Sequence, residues 1–246
     1  MRIFIAKIIS KIKFYKSINW IKTFYINFKK LKLTDAKKLP IIVFGRSTFT
    51  DISGEFVFET DIKFGVITFG HRYEIFEKES GNAELVIKGK IIIRGNVQFG
   101  YDYKVFVNKE AILTLGNMAS VASSSKIICC HNIVLGNFCR VGSQSQIMDT
   151  NFHELRDTKT NQVFNKNSSI ILGNFNFISN RVTIMAKTQT PDYCTIASNT
   201  ICNKDYIPYG SYILIGGIPA KLLKTNITRN WEKEIDELQD FLTLKL

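Results

Sequence analysis

From about Ile41 onward, short runs of Val, Ile and Phe are punctuated by Gly, Asn and Ser, the pattern of strands and turns. Within these runs an aliphatic residue recurs every six positions. Leu115, Val121 and Ile127 form one series. After a two-residue slip it continues at Leu135, Val141 and Ile147, and it resumes at Leu172, Ile178, Ile184, Thr190 and Ile196. A small residue often follows, as in Leu135-Gly136, Val141-Gly142, Leu172-Gly173 and Ile196-Ala197. Six residues hold one short strand and one corner. The aliphatic points inward and the small residue lets the corner close. Three such units make a triangular coil of about 18 residues, and stacked coils bury the aliphatic ladder while pairing their backbones. Before Leu115 the period is ragged, but Ile91-Ile92-Ile93 and Val105-Phe106-Val107 still read as strands, so residues 41–110 are expected to be degenerate early coils.

The predicted class is therefore all-β, a left-handed parallel β-helix of hexapeptide repeats over residues 40–215, an exception to right-handed crossover. The two ends follow a different period. In residues 1–39, Ile5, Ile8, Ile9, Ile12 and Tyr15 recur at helical spacing, as do Ile18, Ile21, Phe24, Phe28 and Leu31, with Lys7, Lys11, Lys22 and Lys29 mostly off those stripes. In residues 216–246, a closing loop leads to a helix. Asn230 is a good N-cap, Glu232 and Glu234 suit the first turn, and Trp231, Ile235, Leu238 and Leu242 form an apolar stripe. That helix is expected to cap the open end of the coil or to pack on a neighbouring subunit.

Charge sharpens the picture at the N-terminal end. The chain of 246 residues carries 33 Lys/Arg and 21 Asp/Glu, a formal net charge of +12. Eleven of the bases fall in residues 1–39, where Asp35 is the one acid, so the basicity belongs to the arm and the body is near neutral. Lysines interrupt the arm long before the ~20 apolar residues that a spanning helix needs. No A-x-A site follows, which argues against a cleaved signal. Two readings of the arm stay open: packing on protein, or peripheral contact of residues 1–33 with an anionic inner-leaflet surface. No nucleic-acid recognition motif accompanies the charge. The five cysteines, an odd number without a CxxC pair, point to reduced thiols and a cytoplasmic setting.

One interruption stands out. Ile147 and Leu172 lie 25 positions apart where the repeat expects six, so a polar segment at about 149–168 is ejected from the coil. Long polar loops on regular scaffolds usually carry function. This one holds Asp149, His153, Glu154, Arg156 and Asp157. His71 and His131 read as surface or structural residues. His153, flanked by carboxylates suited to fix its tautomer, is the candidate catalytic base.

With these residues in view, the chain resembles the hexapeptide-repeat acyltransferases and is similar to galactoside and maltose acetyltransferases and to the O-acetyltransferases of bacterial surface polysaccharides. The likeness covers about residues 110–225. It rests on the repeat, on His153-Glu154-Leu155-Arg156, and on Gly217-Ile218-Pro219-Ala220-Lys221, which matches the family's G-x-P-A-K closure. It implies a homotrimer with sites between subunits, acetyl-CoA as donor, no metal, and a sugar or lipid-linked oligosaccharide acceptor. Residue by residue it implies His153 as general base. Gln144, Asp149, Asn151 and Phe177 fall to the acceptor, and Asn180, Ser198, Lys204 and Lys221 to coenzyme A. Ser179, Lys187 and Thr190-Pro191 depart from the family's usual glycines and aliphatics at their corners.

The chemistry asks for little more. A neutral imidazole takes the proton of a sugar hydroxyl as it attacks the thioester, donors on a rigid coil edge hold the oxyanion, and the imidazolium protonates the departing thiolate. No cysteine is required; Cys139, Cys194 and Cys202 read as small packing residues. Other readings are N-acylation of an amino sugar, acyl-carrier-dependent transfer of a long chain, and a non-enzymatic trimeric scaffold that binds membrane. A metalloenzyme on this fold needs three converging histidines, and His71, His131 and His153 have no such spacing.

Overall fold

The computed structural model describes residues 12–72, 74 and 78–244. The helical stripe read through Ile5, Ile8 and Ile9 lies outside the described residues.

Through the first eleven strands, each strand pairs in parallel with the one three places on and never with the next, and the following three pair five places on, across two strands that stand outside the stack. Three sheets of nine, seven and six strands result, each coil giving one strand to each sheet. The first coil consists of Ile41–Val43, Ser47–Asp51 and Glu55–Phe58, so the parallel stack begins well before the regular repeat. The ragged early period has a simple cause. Thirteen positions separate the strands Ile67–Phe69 and Ala83–Ile87 where three separate Ile41–Val43 and Ser47–Asp51, and such a change of spacing breaks the count without breaking the ladder.

The six-residue series marks direct neighbours in the stack. Leu115 pairs with Leu135, Leu135 with Leu172, and Leu172 with Thr190. Val121, Val141, Ile178 and Ile196 form a second ladder, and Ile127, Ile147, Ile184 and Cys202 a third. All are buried. The two-residue slip lies in the corner around Cys130 and His131. The small residues are required by close approach: a Cβ on Gly116 would lie 2.5 Å from the Gly136 carbonyl carbon, and one on Gly136 2.6 Å from that of Gly173. Cys139, Cys194 and Cys202 face inward, and burial pushes the thiols of Cys139 and Cys202 up to about 12.

The helix Trp20–Lys30 closes the first coil, and it does so with an unexpected face. The side chains it buries are Thr23, Ile26 and Asn27, while Ile21, Phe24 and Phe28 of the expected stripe stay exposed. The reason is the strand edge beneath. Ile41–Val43 would otherwise present unpaired backbone groups. Asn27 Nδ2 donates to the Ile41 carbonyl at 2.6 Å and Asn27 Oδ1 accepts from Ile41 N–H at 3.1 Å, while Thr23 Oγ1 accepts from Val43 N–H at 3.0 Å. Asn27→Ala should strand two buried backbone groups and lower stability by about 2 kcal/mol. Asn27→Leu, which restores volume without hydrogen bonds, should do the same. Denaturant unfolding checks this, and an unchanged midpoint in both variants counts against it.

The helix Trp231–Leu242 corrects a second expectation. It does not cap the open end. Trp231, Leu238 and Leu242 pack along the flank of this same chain against Met118 and Phe138, with Ile235, Phe175, Phe177 and Tyr193 beside them. The flank offers a ready surface. Phe138, Phe175, Tyr193 and Tyr212 stack face to face up one corner, with centroid spacings of 4.9, 4.8 and 4.6 Å. Each takes a left-handed backbone conformation, costly for a bulky residue and offset here by stacking. Asn230 precedes this helix without a side-chain cap bond; Arg229 pairs with Glu234 instead.

Candidate active site

The ejected segment is a β-hairpin. Its root is closed by pairing of Thr150 with Asn167, and Leu155–Arg156 runs antiparallel to Val163–Phe164. The Asp157 carboxylate accepts from Lys159 and Thr160 N–H at the tip, which holds its pKa below the usual carboxylate range. The coil resumes at Ile170, in register with Ile133.

His153 stands near the hairpin's root, exposed to solvent. Among the described residues, its ring makes no hydrogen bond, and neither Asp149 nor Asp157 reaches it. The tautomer-fixing carboxylate expected beside it is absent from its own chain's described contacts. Phe152, with φ of 58°, turns the chain just before it. Phe152 borders a cleft of about 310 Å³ with Val86, Phe106 and Ile128 on the outer face of the seven-stranded sheet. These belong to a continuous outward ladder of Val86, Phe106, Ile128, Met148 and Met185. An apolar ladder on an outer face, with the hairpin at its border, is the setting of His153.

Asp149 differs from expectation. The resemblance assigns it to the acceptor, but it is fully buried and its carboxylate accepts three backbone N–H groups, from Cys130 at 2.7 Å and from His131 and Asn132 at 2.8 Å. It anchors the hairpin to the widened corner of the preceding coil, where the two extra residues of the repeat sit. Burial, and after it the Asp149 charge, raises the pKa of Cys130.

The remaining candidates separate into groups. Gln144 is exposed at a left-handed corner with φ of 59°. Asn151 is exposed at the hairpin root, its N–H bonded to the Lys166 carbonyl. Phe177 is half-buried beneath the Arg229 guanidinium, 4.8 Å from the ring centroid, so the C-terminal extension covers it. Asn180 Oδ1 accepts from Ser143 N–H at 3.0 Å and supports a corner. Ser198 and Lys221 are exposed, Lys221 within the terminal hairpin Ile213–Gly217 and Ala220–Thr225 that ends the stack.

Lys204 sits in a second cleft, of about 620 Å³, at the foot of the hairpin. His131, Asn167, Lys187, Gln189 and Asn203 share it. Lys204 Nζ lies 3.1 Å from the Tyr209 hydroxyl and over the rings of Tyr206 and Tyr209. Lys187 occupies its corner with φ of 74°, the conformation that favours glycine. The substitution noted in the sequence thus adds a second cation to this cleft, and His131 adds an imidazole. Neither was singled out as functional. The available signal was the Lys at a corner that otherwise takes Gly. Among the described residues no three His, Cys, Asp or Glu side chains gather as a metal site.

No protein-family model matches the chain, and no curated protein sequence does. Among solved structures, the chain is similar to the polySia-specific acetyltransferase NeuO, at 16% identity over 77% of this chain and 78% of that one, with a TM-score of 0.48. It is similar to the polysialic acid O-acetyltransferase OatWY, at 15% identity over 76% and 92%, with a TM-score of 0.44. A hexapeptide-repeat acetyltransferase of Vibrio cholerae, solved with acetyl coenzyme A, matches at 16% identity over 50% and 64%, with a TM-score of 0.42.

Proposed function

We propose that the chain is an O-acetyltransferase that moves an acetyl group from acetyl-CoA to a sugar hydroxyl in surface-polysaccharide biosynthesis, with His153 as general base. The observation that carries this reading is the exposed imidazole at the root of a hairpin ejected from an otherwise unbroken coil stack, beside an apolar outer ladder. A left-handed winding and a homotrimer belong to the same reading. The ladder of Val86, Phe106, Ile128, Met148 and Met185 supports the trimer, because a neighbouring coil laid against it buries apolar surface. It also brings a second chain up to His153, which supplies the walls and the orienting partner that its own chain does not.

In this mechanism the imidazole accepts the acceptor's hydroxyl proton as the oxygen attacks the thioester carbonyl. The tetrahedral intermediate collapses, the C–S bond breaks, and the thiolate of coenzyme A takes the proton back from the imidazolium. An acetyl ester and free coenzyme A result, with no covalent enzyme intermediate. The lysines Lys187 and Lys204 are placed to meet the donor's phosphates in the cleft at the hairpin's foot. A cytoplasmic setting belongs to the same reading, supported by a coenzyme A donor and by cysteines that form no disulfide among the described residues.

The direct test is transfer from acetyl-CoA to a panel of nucleotide sugars and lipid-linked oligosaccharides, read as coenzyme A release and as an ester in the product. Transfer to amines alone would replace the reading by N-acylation, and no transfer to any member would leave the scaffold reading. The donor assignment has its own check. Lys204→Ala and Lys221→Ala should each raise the KM for acetyl-CoA several-fold, with the acceptor KM little changed. Unchanged donor KM in both would place the donor elsewhere.

A further inference from the structure

The helix Trp20–Lys30 has its faces inverted. Toward the coil it turns Thr23 and Asn27, with Ile26 between them, because the strand edge beneath needs hydrogen bonds. Toward solvent it turns Ile21, Phe24, Tyr25 and Phe28, at 83%, 45%, 47% and 47% exposure. At 100° per residue, Ile21 and Phe28 lie directly opposite the buried side, and Tyr25 marks one edge of the face, its ring stacked on that of Phe49 at 6.3 Å. Because the helix closes the first coil, this apolar face looks outward from the end of the stack. Leu33, just beyond the helix, is exposed as well.

Lysines flank the face. Lys29 borders it along one side, with the half-buried Lys22 next to it, its Nζ 4.7 Å over the Phe49 ring, and Lys13, Lys16, Lys32, Lys37 and Lys38 are exposed on the segments before and after the helix. Lys29 Nζ reaches the Tyr25 hydroxyl at 2.8 Å, so its charge lies at the margin of the aromatic surface. Lys30 is excluded from the set because its Nζ is bonded to the Ser53 carbonyl. Asp35 is the one acid of residues 12–38.

We propose that this face is a docking surface for an anionic lipid bilayer. Its apolar centre enters the acyl boundary and its lysines meet the headgroups. Charge decides between occupants. A second copy would set lysines against lysines, whereas a negatively charged surface neutralises them all. A nucleic acid would answer the charge and leave the Ile21 and Phe28 side chains without an apolar environment. Among the described residues no helix is long and apolar enough to cross a membrane, so the contact is one of lying on the surface. The proposal does not rest on the catalytic reading.

The experiment is co-sedimentation of the full chain with vesicles of phosphatidylcholine, alone or mixed with phosphatidylglycerol, at low and high salt. Binding should require phosphatidylglycerol and weaken at high salt. The triple variant Ile21→Ser, Phe24→Ser, Phe28→Ser should lose about tenfold or more in partitioning, with melting temperature and oligomer size unaltered, since none of the three touches the coil's edge bonds. Lys22→Glu with Lys29→Glu should weaken binding to the mixed vesicles and remove its salt dependence in part. Equal recovery in the supernatant with and without phosphatidylglycerol overturns the proposal. So does vesicle binding that the triple variant retains in full, binding to duplex DNA without binding to vesicles, or self-association that the triple variant abolishes.

Discussion

His153→Ala is expected to fold, assemble and bind donor normally, and to turn over about 10²–10⁴-fold more slowly, the usual worth of a positioned general base. The expectation of normal folding comes from where the residue sits. Its side chain is exposed, and the hairpin that carries it is held by other groups: the Asp149 carboxylate on three N–H groups, the Thr150–Asn167 bridge, and the Leu155–Arg156 pairing. Removing the imidazole leaves each of these in place. The loss should therefore appear in kcat, with little change in the KM for acetyl-CoA. Asp149→Asn supplies the contrast. It weakens the charge that organises the corner at Cys130–Asn132, so it should lower stability first and disturb activity through the position of the hairpin. Near-normal turnover in a well-folded His153→Ala protein would sink the assignment of the base.

The coil was legible in the sequence because its cause is local and periodic. Each six-residue step places one inward aliphatic, and the register partners Leu115, Leu135, Leu172 and Thr190 follow from that count once the two-residue slip and the ejected segment are set aside. The hairpin was legible for the same reason, as a break in the count. What was not legible depends on surfaces that no short-range pattern describes. The N-terminal helix was read by its apolar stripe, but the strand edge it covers selects Thr23 and Asn27 for their hydrogen bonds and leaves Ile21, Phe24 and Phe28 outside. Asp149 looked like a site carboxylate because it adjoins the loop. Its burial follows from three N–H groups that converge only once the corner at Cys130–Asn132 is widened. In the stack of Phe138, Phe175, Tyr193 and Tyr212 the last three members follow at close to the coil's own period, but the hairpin sets Phe138 apart from Phe175, and the side chains mix Phe with Tyr at a corner rather than at the inward position.

That aromatic stack governs the second large effect, the expected consequence of losing the C-terminal helix. Trp231 is buried against Phe138 and Phe175, with ring centroids 6.5 and 5.6 Å away in edge-to-face geometry, and the Arg229 guanidinium lies 5.1 Å from its own. Trp231→Ala removes this anchor and should cost about 3–5 kcal/mol, on the order of 10 °C in melting temperature for a chain of this size. A helix of 12 residues has little stability of its own. Once Trp231 is gone, Leu238 and Leu242, with Ile235 beside them, are the apolar contacts left on this flank. The helix is also tied further along the stack, where Asn96 Nδ2 donates to Thr243 Oγ1 at 3.0 Å and Leu244 packs against the cluster of Ile18, Ile42 and Phe44. It therefore links the late coils to the first ones, and each coil otherwise touches only its neighbours. Truncation after Lys224 should do more than lower the melting point. It should uncouple the two ends, so that unfolding broadens and amides in the strands Ile41–Val43 and Ile67–Phe69 exchange sooner than those of Ile170–Leu172. Met118, Phe138 and Phe175 would be newly exposed and should bind a hydrophobic dye. Thermal unfolding combined with hydrogen exchange reads all of these. An unchanged melting temperature, together with equal exchange at the two ends of the coil, would show that the helix merely rests on the flank.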